Sequence, residues 1–164
     1  MVGRAVLPVP VYYAILALCT AYCWLRGAGP EKAGAAIIVV GSILSTLTFS
    51  AQVRFASVQA GIFVVDLGVL AALVAVALCA ERFWPIFAAA LQLIAATCHA
   101  VKLADPTVIG PVYAFFLAFW TYVILLLFVF GSRGHQRRLK RDGSDPSWTW
   151  EVASPAQPKS RWRG

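Results

Sequence analysis

The sequence predicts an all-α fold: a polytopic membrane bundle of five transmembrane helices with a short cytoplasmic tail. Composition is the first reason. Apolar residues make up 60% of the 164 residues and charged ones 13%, against about 45–50% and about 25% in ordinary soluble chains. The second is distribution: the apolar residues gather into five stretches, about 8–25, 33–51, 62–80, 83–101 and 109–130. The third is length, since a bilayer core about 30 Å thick takes about 20 helical residues to cross. A disordered chain, a soluble nucleic-acid-binding module and a disulfide-stapled secreted domain are all excluded by this composition. Residues 1–130 form the predicted bundle, and residues 131–164 form a basic juxtamembrane segment and a tail without fixed structure.

Each stretch reads as a helix, because in lipid only helices and closed barrels satisfy every backbone N–H and C=O. The alternating pattern of a barrel strand is absent. The first stretch opens at Pro8 and ends at Gly27-Ala28-Gly29-Pro30. It carries a basic residue and an apolar core, as a signal peptide does. Cys19-Thr20-Ala21-Tyr22-Cys23-Trp24 is too bulky for a small-x-small cleavage site, so an uncleaved span is expected. The second holds a stripe of small residues, Gly34, Gly41, Ser45 and Thr48. The third carries Gly68, Ala72 and Ala75, and the fourth Ala88, Ala89, Ala95 and Ala96. Small residues let helix backbones approach closely in lipid, so spans two to four should pack tightly. Only Glu81-Arg82 separates the third stretch from the fourth, which makes them an antiparallel hairpin. Asp105-Pro106 breaks the chain before the fifth. Pro8, Pro85 and Pro111 fall in first turns, where the missing N–H costs nothing. The fifth stretch presents Phe115, Phe116, Phe119, Trp120 and Tyr122, a bulky face suited to lipid or to another subunit.

The net charge of +7 is unevenly placed. Residues 1–130 hold six basic and four acidic residues, and residues 131–164 hold eight and three. With five spans, Arg26, Lys32, Arg82 and the tail share one face and hold eleven basic residues. Arg4, Arg54 and Lys102 share the other. An excess of Lys and Arg marks the cytoplasmic side, which places the tail inside and the N-terminus outside. Arg133, Arg137, Arg138, Lys140 and Arg141 then lie at the headgroups, or against a partner. Trp148, Trp150 and Trp162 are unusual in a polar tail and suit either interfacial anchoring or a short docking motif. No nucleic-acid partner is expected.

Ionisable residues within spans are expensive and are functional candidates by default. Here they are Asp66 and His99, with Gln92 as a buried amide. A hairpin turning between Arg82 and Phe83 puts Asp66 and His99 at one depth. Gln92 lies seven residues from His99 on nearly the same helix face. The three form a candidate polar seam. The alternative is separate satisfaction, with Asp66 meeting headgroup water, Arg54 or a helix N-terminus and His99 a backbone carbonyl. Depth alone does not set helix rotation. Cys19, Cys23, Cys79 and Cys98 have no metal-binding spacing and read as small packing residues. No cofactor or metal is expected. Hydrolase, phosphate-loop, zinc-protease and dinucleotide signatures are missing, so an enzyme is not expected.

Val65-Asp66, Arg82-Phe83-Trp84-Pro85, Leu91-Gln92-Leu93, His99, Ala104-Asp105-Pro106 and Phe119-Trp120 occur in that order. Over roughly residues 54–130 the chain resembles a group of small multi-span membrane proteins of alphaproteobacteria that has no assigned activity. The resemblance implies a bacterial inner membrane and no particular chemistry. The leading expectation is a non-enzymatic accessory or assembly subunit of a larger membrane complex. The alternative is a small proton-coupled or polar-solute carrier or channel component acting as a homo-oligomer through the seam.

Overall fold

The computed structural model describes residues 9–52, 58–104 and 110–153, and it is helical almost throughout. Five long helices follow in order: α1 Val9–Arg26, α2 Gly29–Gln52, α3 Val58–Cys79, α4 Trp84–Ala104 and α5 Gly110–Asp142. A short α6, Thr149–Ala153, completes the described chain. Among the described residues, three helical stretches are long and apolar enough to cross a membrane: Gly29–Thr48, Ala60–Cys79 and Trp84–Ala104. Each long helix packs on the next in sequence, α5 returns to α1, and α2 also reaches α5. The bundle is thus a ring in chain order. The α1–α2 turn, the α3–α4 turn and the end of α5 lie together at one end.

Local chemistry sets the boundaries. Pro30, Pro85 and Pro111 each stand second in their helices, where the fixed φ is preorganised and no N–H is missed. Pro8 and Asp105-Pro106 lie outside the described residues. α2 starts four residues before the expected Ala33. The reason is Glu31, whose Oε2 accepts the Ala28 N–H at 3.0 Å. This is half of a capping box, and it makes a helix of what reads as a charged loop. α5 ends just before Gly143, whose φ of 73° suits glycine and whose N–H reaches the Leu139 carbonyl at 3.0 Å.

The core is filled by side chains. Leu73, Ile124, Leu125 and Phe128 are almost fully buried, with Cys23, Ala35 and Ala88 between them. The Trp84 indole packs edge-on against Phe128 at 5.0 Å. The small-residue stripes divide in their use. A Cβ on Gly41 would lie 2.5 Å from Val69 Cγ2, and one on Gly34 about 3 Å from the Trp84 and Phe128 rings. Gly68 has nothing within 4 Å. It borders an open apolar groove between α2 and α3, lined by Ile37, Val40, Leu44, Val64 and Ala72. Gly68 is therefore not the close-approach position that its small size suggests.

The tail corrects an expectation. Residues 142–164 read as structureless, yet residues 143–153 fold back onto the bundle end. Ala80 and Trp148 form an antiparallel bridge, with the Glu81 N–H donating to the Ser147 carbonyl at 3.1 Å. The Trp148 indole lies where a side chain at position 29 would be, so Gly29 makes room for it. Trp150 stacks on Trp148 with ring centres 4.8 Å apart. Glu151 caps the final turn, accepting the Ser147 N–H at 2.6 Å and the Trp148 N–H at 3.2 Å. Trp148 thus docks on its own chain, an occupant that neither reading of the tail tryptophans included. Trp162 lies outside the described residues.

Candidate functional site

Asp66 on α3 and His99 and Gln92 on α4 meet inside the bundle. His99 Nε2 is 2.7 Å from Asp66 Oδ2. Gln92 Nε2 donates to Asp66 Oδ1 at 3.1 Å. Each carboxylate oxygen therefore has its own nitrogen partner. His99 is 4% exposed and Gln92 6%, so both partners of the carboxylate are withdrawn from the surface. His99 and Gln92 are two turns apart, about 10 Å along α4 at 1.5 Å per residue. Asp66 reaches both, so its carboxylate sits between their levels rather than at that of His99 alone. Arg54 lies outside the described residues.

The seam opens on a partly open cavity of about 210 Å³ lined by residues of α1, α2, α3, α4 and α5. Asp66 and Gln92 form one wall, and Tyr12, Ser42, Thr46 and Thr121 bring hydroxyl groups to the others. Tyr12 and Ser42 share a hydrogen bond of 2.7 Å, and Tyr13 bonds Thr46. Thr46 Oγ1 donates back to the Ser42 carbonyl at 2.8 Å. Tyr122 meets Tyr12 edge-on at 6.0 Å, which holds the phenol in place. These hydroxyls are missing from the sequence-predicted set. Their signal is faint: Ser42 and Thr46 stand four residues apart on α2, beside Ser45 of what reads as a packing stripe. The cavity has room for a few waters or one small polar molecule, at about 30 Å³ per water. Its donors and acceptors suit such an occupant better than an apolar one.

A second polar cluster lies at the bundle end where the tail folds back. Glu31 is fully buried. Its Oε1 accepts the Trp84 indole N–H at 2.8 Å and lies 3.9 Å from Arg82 Nε. Arg82 also reaches Asp145 Oδ2 at 2.6 Å and the Pro146 carbonyl at 3.2 Å. His135 Nδ1 meets the same Asp145 oxygen at 2.6 Å, and Arg138 Nε takes the other at 2.9 Å. Burial alone would raise the Asp145 carboxyl. The Arg138 and His135 hydrogen bonds and the charge of Arg82 outweigh it, and the group lies below the usual carboxylate range. Glu151 is also held down, chiefly by the Ser147 N–H.

The basic residues expected at headgroups divide accordingly. Arg133, Arg137, Lys140 and Arg141 are exposed along the α5 extension. Arg141 forks onto Asp142, which holds that carboxyl below its ordinary value. Arg138 turns instead to Asp145. Sequence reading misses Glu31, Trp84 and Asp145 as partners, because 53 positions separate Trp84 from Glu31 and 63 separate Arg82 from Asp145. Glu31, three residues after Ala28, carries the one local signal, that of a helix start. Among the described residues, no group of three or more His, Cys, Asp or Glu is placed to hold a metal ion. No protein-family model, curated protein or solved structure matches the chain.

Proposed function

We propose that this chain is a bacterial inner-membrane protein of five transmembrane helices that binds a proton and a small polar solute at the Asp66–His99–Gln92 seam. It would act as a non-enzymatic carrier or channel component. One observation carries the reading: a carboxylate, an imidazole and an amide converge beside a hydroxyl-lined cavity within otherwise apolar helices. Stability is a poor reason for keeping them there. Hydrogen bonds between membrane helices contribute only about 0.6 kcal/mol on average, whereas an ionisable residue at such depth costs several times that.

The proton chemistry is simple. With neutral His99 donating its Nε2–H to ionised Asp66, the seam holds one negative charge. Uptake of one proton gives an imidazolium–carboxylate pair and a neutral seam. Loading and unloading that proton changes the field on the cavity by one charge at a distance of a few ångströms, which couples the seam to whatever the cavity holds. Phe128, Leu125 and Leu73 fill the interior of the bundle toward its tail end. A continuous path therefore favours a homo-oligomer in which the cavity meets a neighbouring copy. The lysine and arginine distribution favours a cytoplasmic tail and an outside N-terminus, and the resemblance over residues 54–130 favours a bacterial membrane.

Purified protein in liposomes carrying an internal pH-sensitive dye tests the reading. Wild type should admit protons under an imposed potential, and Asp66→Asn and His99→Ala should abolish the flux while the helical circular dichroism signal is kept. Wild-type flux equal to that of empty liposomes would sink the proposal. So would flux unaffected by both substitutions. If the chain acts only as an accessory subunit, the same substitutions lower stability and nothing else.

A further inference from the structure

The geometry points to a phosphate-binding site formed by Arg82, His135 and Arg138, with the Asp145 carboxylate seated in it as a tethered substitute. The site lies at the tail end of the bundle and owes nothing to the proton reading of Asp66.

Three donors from two separate elements converge on one carboxylate: Arg82 from the α3–α4 turn, and His135 and Arg138 one turn apart on α5. The Arg82 side chain is 7% exposed. It is a cation built into the end of the bundle rather than one laid over its surface. The donors also outnumber what a carboxylate offers. Arg82 Nε and Arg138 Nη2 are buried without a hydrogen-bond partner. A phosphate group brings more oxygens in a tetrahedral arrangement, and guanidinium forks match it well.

Glu151 and Asp142 oppose the cluster at longer range, through Arg82 and Arg138, and the nearer opposing charge is Glu31, 3.9 Å from Arg82 Nε. Its oxygens are already taken by the Trp84 indole and the Ala28 N–H. With Asp145 displaced, two guanidiniums and His135 face Glu31, while Glu151 is tied to backbone N–H groups and Asp142 to Arg141. The occupant can also leave. Apart from Asp145 itself, the segment is held by one bridge, the Arg82 bond to the Pro146 carbonyl, one indole on a glycine and a terminal cap. The exposed Arg133, Arg137, Lys140 and Arg141 surround the site with positive field, which gathers phosphate-bearing anions. The ligand class is therefore a phosphate group, from a phospholipid head or from a soluble phosphate.

Titration calorimetry on the full chain in neutral detergent tests this with two probes: a short-chain phosphatidylglycerol, and inorganic phosphate at matched ionic strength. Asp145→Asn removes the tethered competitor and should tighten binding on the order of tenfold relative to wild type. Arg138→Gln added to Asp145→Asn should abolish that gain. Arg138 carries the test because its side chain is 36% exposed and its shortening leaves the core intact. In wild type, hydrogen exchange over residues 143–153 should rise when phosphatidylglycerol binds. A gain with phosphatidylglycerol alone identifies a lipid head, and a gain with both probes identifies the phosphate group whatever its source. Unchanged affinity of Asp145→Asn for both probes would overturn the proposal. A gain that survives Arg138→Gln would also overturn it, assigning the binding to the diffuse basic face.

Discussion

Trp84→Phe separates a single hydrogen bond from the packing around it. The phenyl ring keeps the edge-on contact with Phe128, now 5.0 Å between ring centres. What it loses is the indole N–H that Glu31 Oε1 accepts at 2.8 Å. Hydrogen bonds to charged groups contribute about 1.5–3 kcal/mol, and a buried charge short of a partner sits at the upper end. Glu31 is fully buried and would keep only the Ala28 N–H and the distant Arg82 nitrogen. The missing benzo ring, which lies against Gly34, leaves a void costing about 1 kcal/mol more. The expected loss is about 3 kcal/mol, or roughly a hundredfold in the folding equilibrium. Equilibrium unfolding in mixed micelles measures it. A double-mutant cycle with Glu31→Ala then isolates the bond, because the void does not depend on residue 31. Coupling of at least about 1 kcal/mol is expected. Coupling near zero, with Trp84→Phe equally costly in both backgrounds, would refute the reasoning.

Two further outcomes follow from glycines and from the tail. Gly41→Ala should force α2 and α3 apart, because its Cβ would stand 2.5 Å from Val69 Cγ2. A cost of about 1–3 kcal/mol is expected from overpacking. Gly68→Ala, with nothing within 4 Å, should be neutral or slightly stabilising, and unfolding in mixed micelles compares the two. The tail should respond to acid. The Asp145 carboxyl is held below its ordinary value of 3.8. Its contribution is therefore fully present above that pH and is lost as pH falls through the lower, folded-state value. The groups facing it are Arg82, His135 and Arg138, with Glu31 behind Arg82 and the like charge of Asp142 nearby. Hydrogen exchange over residues 143–153 should stay low down to the normal carboxylate range and rise below it. Asp145→Asn should show that high exchange already at neutral pH.

Much of the helical framework is legible from local information. Every apolar stretch corresponds to a long helix, and the Glu81-Arg82 interruption marks the α3–α4 hairpin. Helix ends are less legible where a side chain acts on its own backbone: Glu31 draws the start of α2 forward. α5 also continues through the basic segment to Asp142. The polar seam is half legible. Hairpin geometry gives Asp66 and His99 a similar depth, and the seven-residue spacing gives Gln92 and His99 one face. The hydroxyls of Tyr12, Ser42 and Thr46 come from other helices, and no hairpin constrains them.

Sequence alone determined the class of structure, the order of its helices and which intramembrane polar residues could reach one another along the hairpin. Hydropathy, breakers and caps act within a few residues and are readable one stretch at a time. Tertiary structure decided rotation and occupancy: that Asp66 turns inward to both His99 and Gln92, that Val69 sits over Gly41 while Gly68 faces a groove, and that Trp148 lies on Gly29. A helix apolar on all sides has no preferred inner face. Its rotation is set by which neighbours fit, as the steric contact at Gly41 and the rings at Gly34 show. The tail obeys the same logic at long range. Asp145 has no use for a fixed position until Arg82, on a turn more than sixty residues earlier, stands beside the end of α5.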